Sequence, residues 1–185
     1  MLAKILAPAL IVAAGALTIA ATTSTAQDPM MEQPTDHHKI VQRAVGDWKG
    51  TLTSYMPGLP ETPMPATEHT DAVGGFWTNT TFQCDFMGMP YKGVGVVGYS
   101  AKDKKFLGTW TDSTSSFFAM MEGDYDKEKD VLTMRWTGPD MTGAMVPHRY
   151  EVAMRDDGYT STFYVGENGG EKSMVIEMER VKGDK

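Results

Sequence analysis

Between residues 36 and 45, the apolar positions Ile40, Val41, Ala44 and Val45 fall on one face of a helix. From Trp48 onward, apolar and polar residues instead alternate with the period of two that marks a half-buried strand. Asp36 is placed to cap the predicted helix, residues 37–45, and Gly46 to end it. Clusters of turn formers and charges divide the alternating region into ten predicted strands: 48–55, 66–73, 76–86, 91–99, 106–111, 117–125, 131–137, 146–155, 159–165 and 172–181. Gly74-Gly75, Gly88-Met89-Pro90 and the segments 101–105, 126–130, 138–143, 156–158 and 166–171 join them, nearly all short enough for antiparallel neighbours. The first connection differs, because Pro57, Pro60, Pro63 and Pro65 would hold it extended, out of the sheet and arched over one end.

The more apolar face of each predicted strand is assigned to the interior. Phe82, Cys84 and Phe86 oppose Gln83 and Asp85. Leu132, Met134 and Trp136 oppose Thr133 and Arg135, and Tyr150, Val152 and Met154 oppose Arg149, Glu151 and Arg155. Phe106, Trp110, Phe117, Met121, Tyr125, Phe163, Val165, Met174, Ile176 and Met178 follow the same rule. On this parity Arg180 points inward, where an arginine needs a partner. The indole of Trp48 supplies one, worth about 0.5–2 kcal/mol, and would set the first strand beside the last. Ten strands closed in this way form an all-β, antiparallel up-and-down barrel plugged by the short N-terminal helix, with Gly46, Trp48 and Arg180 at its closed end.

The segment from Asp36-His37-His38 through Val45-Gly46-Asp47-Trp48-Lys49-Gly50, the block Phe86-Met87-Gly88-Met89-Pro90-Tyr91-Lys92-Gly93 with Gly98-Tyr99, and Gly108-Thr109-Trp110-Thr111-Asp112 carry a family resemblance. Helix, Gly-x-Trp, meander and late arginine resemble the calycin superfamily of lipocalins, fatty-acid-binding proteins and nitrobindin-like haem carriers. The longer blocks resemble the bacterial family called domain of unknown function 1579. The resemblance spans nearly the whole chain after the leader and implies a calycin-like barrel in an exported setting. It implies no catalytic or ligand residues.

Lys4, the apolar run 5–21 and Ser24-Thr25-Ala26 read as an export signal cleaved after residue 26. Residues 27–35 then form a polar leader, residues 36–182 one barrel domain, and the expected destination is the periplasm or the medium. The apolar run contains Pro8, Gly15 and Thr18 and falls short of the ~20 residues a membrane span needs, so no stable insertion is expected once the signal is removed. Seventeen basic against 24 acidic side chains give a net charge of −7, which opposes nucleic acid as a partner. A single cysteine, Cys84, rules out an internal disulfide.

Candidate chemistry is sparse. Cys84 with His69 or His148 is the sole thiol–imidazole set, and no nucleophile signature surrounds the cysteine. Glu61, Glu68, Asp71, Asp85 and Asp112 suggest no particular acid/base couple. His148 shares the inward face of Tyr150 and could face a haem, but Cys-x-x-Cys-His is absent. The pairs Met30-Met31, Met87-x-Met89 and Met120-Met121, with His37 and His38, raise Cu(I), yet alternation separates Met120 from Met121. His37 and His38 read as exposed residues at the helix start, His37 partly against the barrel floor. Asp112 either points inward to orient a polar head or frays into the following loop.

The reading is therefore noncatalytic binding of a small, mainly apolar molecule, with no cofactor and no metal. The expected lining is Phe82, Phe86, Trp110, Asp112, Phe117, Met121, Trp136, His148, Tyr150, Met154, Phe163, Met174 and Met178. A haem or copper carrier, a filled barrel serving structure or protein interaction, and an enzyme working in the barrel cleft are the alternatives. Oligomeric state is left open.

Overall fold

The computed structural model describes residues 32–55, 57–58, 61–166 and 169–182. The predicted export segment, the leader as far as residue 31, including Met30 and Met31, and Pro60 lie outside these residues. One short helix, α1 (Asp36–Gln42), precedes ten strands. These are β1 (Gly46–Ser54), β2 (Met64–Val73), β3 (Trp77–Phe86), β4 (Met89–Ser100), β5 (Lys105–Asp112), β6 (Ala119–Asp126), β7 (Val131–Pro139), β8 (Met145–Met154), β9 (Gly158–Val165) and β10 (Glu171–Arg180). Each strand pairs antiparallel with its sequence neighbours, and β1 pairs with β10 to close the barrel. In that last seam Trp48 stands opposite Arg180 and Leu52 opposite Ile176, so the two apolar inner faces stay in phase.

Local chemistry moves several predicted boundaries. Thr35, not Asp36, caps α1: its backbone is extended, and its N–H donates to the His38 ring at 2.8 Å, while Asp36 turns out to Lys39. The helix ends at Gln42, short of Val45, because Arg43, Ala44 and Val45 donate to carbonyls three residues back and so tighten the last turn. Pro65 is not part of an unpaired flap. It lies in β2 opposite Thr51, near the strand's start, where proline is tolerated and where β3 has not yet begun to pair. The turn between β3 and β4 shrinks to Met87 and Gly88, both at positive φ as a two-residue hairpin demands, so Met89 and Pro90 join β4.

The core has two packed regions. Trp48, Leu52, Ala66, Phe82, Cys84, Tyr159, Ile176 and Met178 form one. Val41, Phe106, Ala119, Met121 and Met134 form the other, and so dock the helix on the barrel. The helix end is held by a forked ion pair in which Arg43 donates to both oxygens of Asp130 at 2.5 and 2.9 Å, and Tyr125 adds a hydrogen bond of 2.6 Å. The guanidinium holds the Asp130 carboxyl below its ordinary range.

Candidate functional site

The closed end is built around Trp48, whose ring is 1% exposed and whose Nε1 donates to Ala44 O at 2.8 Å. The Arg180 guanidinium stacks 4.0 Å from the indole and donates to Val45 O and Arg43 O at 2.7 and 2.8 Å. Gly46, at φ +130°, leaves the room this requires, since a Cβ there would lie 2.7 Å from an Arg180 nitrogen. His38 is buried edge-on to Phe76 and Tyr99, contrary to the expectation of an exposed residue, because the helix start turns its ring back under Thr35. His37 stays exposed and stacks on Tyr99 at 4.4 Å.

Above this floor the inner wall carries the predicted aromatic and methionine lining. Phe82, Met121 and Met178 are wholly buried, whereas Phe86, Trp110, Trp136, Tyr150, Met154, Phe163 and Met174 are half-buried although they belong to or pack against the core. Trp110 lies flat along the inside of β4, where a Cβ on Gly93 or Gly95 would run into its ring, and its Nε1 donates to the Tyr91 hydroxyl at 3.2 Å. Trp136 links His148, stacked at 4.9 Å, to Tyr150, which in turn tilts against Phe163 at 5.2 Å. Phe117 packs into the same cluster from the loop ahead of β6, not from the strand itself, and its ring lies against Gly138.

The sequence did not single out the wall's main polar feature. Glu68 in β2, opposite Trp48 on β1 and Phe82 on β3, points inward. Its carboxylate accepts a hydrogen bond of 2.7 Å from the Tyr159 hydroxyl and a longer one, 3.3 Å, from Thr70. Burial raises the Glu68 carboxyl above its ordinary range, against the opposing pull of these two donors. Burial also drives the hydroxyls of Tyr150 and Tyr159 upward, with the Glu68 charge acting in the same direction. Tyr150 and Glu68 both keep some accessible surface on the inner face of the wall. Glu68 and Thr70 on one face against Thr67, His69 and Asp71 on the other leave the strand without a clear apolar face in the sequence.

Two clefts lie along the wall at the end away from the helix. One, of about 510 Å³, opens where β2 and β3 part beyond the Ala66–Cys84 pair, and is bounded by Pro65, Ala66, Cys84, Pro90 and Tyr91. The other, of about 630 Å³, opens beside β6 and β7, whose pairing stops at Glu122 and Arg135. It runs mainly along the outer face, where Met120, Glu122, Arg135, Pro147 and Tyr164 border it together with the inner-face residues Met121, Trp136 and His148. Each is lined by residues of both faces of the wall.

The remaining candidates separate. Cys84 is inward and His69 outward, held between Asp47 and Asp71 at 2.6 and 3.2 Å, so they form no couple. Burial raises the Cys84 thiol, which opposes thiolate formation. His148 turns Nε2 to Gly138 O at 3.2 Å, and burial lowers its pKa. Asp112 binds its own loop, accepting from Thr114 N, Thr114 Oγ1 and Ser115 N at 2.8, 2.6 and 3.2 Å, though it remains half-buried. Among the described residues no three His, Cys, Asp or Glu side chains gather as metal ligands.

Floor, closed wall and inward lining define a calycin-like barrel. Its family follows from the sequence match: residues 33–182 fit the model described as "Protein of unknown function (DUF1579)", and the chain belongs to that family. Among solved structures it is similar to the protein titled "Crystal Structure of Rv2717c from M. tuberculosis", at 13% identity and a TM-score of 0.59 over 81% of this chain and 100% of that one. That likeness concerns the fold. No curated protein matches the chain.

Proposed function

We propose that this protein is an exported, noncatalytic carrier that holds a small, mainly apolar molecule inside the barrel. The observation that carries the reading is the contrast along the inner wall: Trp48, Phe106, Met134 and Met178 are fully covered, whereas Trp110, Tyr150, Met154, Phe163 and Met174 keep accessible surface. Apolar side chains left uncovered inside a closed barrel gain by covering a guest, at roughly 25 cal/mol per Å² removed from water. Methionine suits such a surface because its flexible thioether adapts to irregular shapes. Export rests on Lys4, the apolar run after it and the small residues at 24–26.

Two measurements test the proposal. Protein purified from its native host is extracted with organic solvent and examined by mass spectrometry, and decanol is titrated while tryptophan emission, to which Trp110 and Trp136 contribute, is followed. Co-extracted apolar material and a saturable emission change are expected. Empty protein that also ignores decanol overturns the carrier reading. N-terminal sequencing of the secreted form should begin at Gln27, and an intact Met1 there would refute cleavage.

A further inference from the structure

We infer that the guest carries a protonated amine, seated on Glu68, an inference that rests on the carrier reading above. The argument begins with the charge on the inner wall. Among the described residues, Lys49, Lys92, Lys105, Lys172, Arg135 and Arg149 alternate to the outside of their strands, and the basic groups on the inner face are Arg180 and His148. Neither serves Glu68. Arg180 is fixed on the Trp48 ring and on the two carbonyls at the end of α1. His148 lies on Trp136 toward the opposite end, and burial favours its neutral form.

Glu68 is therefore an enclosed carboxylate whose partners are two hydroxyl donors, Tyr159 and Thr70, and no cation. One phenol and one distant hydroxyl leave acceptor sites on its two oxygens unused. A carboxylate held this way in an apolar enclosure attracts a cation with little screening and repels an anion. Tyr150, whose hydroxyl lies within the field of the Glu68 charge, and Phe163 tilted against it both keep accessible surface on the inner wall, and so offer aromatic faces on which an ammonium group is also favoured. A fatty acid would bring a second carboxylate to Glu68. An amine of the same chain length replaces the missing counter-ion and buries the same apolar tail.

The test compares three probes of equal length, decylamine, decanol and decanoate, each below its micelle concentration, on the full chain at pH 7.5. Binding is read by tryptophan emission and by calorimetry. Decylamine should bind about tenfold tighter than decanol, the scale of one charge-assisted hydrogen bond, and decanoate weaker than both. Glu68→Gln should bring the amine to within about twofold of the alcohol, while Tyr159→Phe, which keeps the carboxylate, should preserve the preference. A decanoate affinity equal to that of decylamine overturns the inference, as does an amine preference that survives Glu68→Gln. If decanol binds without any amine preference, the carrier reading stands and this inference alone falls. If none of the three binds, this inference falls, and the carrier reading falls with it when the purified protein also yields no apolar material.

Discussion

Arg180 covers one face of the Trp48 indole at 4.0 Å while its terminal nitrogens cap the carbonyls of Arg43 and Val45. One side chain thereby ties the last strand to the first strand and to the end of the helix. Arg180→Met removes the cation–π contact and leaves two enclosed carbonyls without donors, so it should cost about 2–4 kcal/mol. Arg180→Lys keeps the charge but not the planar fork, and should cost less than Arg180→Met. Trp48→Ala should cost about 3–5 kcal/mol through the cavity it leaves. Urea denaturation reads all three, and midpoints that do not move would remove these residues from the fold's foundation.

Gly46 is coupled to the same arginine. Gly46→Ala puts an L-residue at φ +130° and sets its methyl against the guanidinium, so a loss of about 1–3 kcal/mol is expected. In the double variant with Arg180→Met the steric part disappears, and the two losses should sum to more than the measured total. Simple additivity would show that backbone conformation alone makes the glycine necessary.

Glu68 should weaken the fold as pH rises. Its carboxyl is raised in the folded state, chiefly by burial, so stability is fullest below the unfolded carboxyl value of about 4.3 and falls as pH climbs through the folded value. Glu68→Gln should therefore melt higher than the parent at pH 7.5 and nearly level with it at pH 4. A variant less stable than the parent at pH 7.5 would mean that the bonds from Tyr159 and Thr70 outweigh desolvation.

Cys84 borders the cleft between β2 and β3, but burial raises its thiol and covers its sulfur. Labelling by a disulfide reagent at pH 8 should run at least about tenfold slower than for a free thiol. A rate matching the free thiol would show that the cleft admits solvent down to the core.

Strands with sharp contrast between faces were legible from sequence. Leu132, Met134 and Trp136 against Thr133 and Arg135 give one reading only, and the parity of Met174 to Met178 is enough to carry Arg180 to Trp48. Glu68 was not legible because one face of its strand is polar and the other only weakly apolar around it, and pairing with Trp48 fixes its direction only after the barrel has closed. Thr35 and Asp36 are both good caps by composition, so backbone geometry decided between them. The positions where β2 and β6 part from their neighbours depend on how far the ladders run, which periodicity does not encode.

That early parting of β6 from β7 has a mechanical consequence. Ala119 to Met121 and Trp136 to Pro139 share no ladder, so those two stretches can spread apart without breaking a rung between them. The Phe117 ring, resting on Gly138 at this seam, is positioned like a latch. Amide exchange along this seam should therefore outpace that of the fully laddered β3–β4 hairpin.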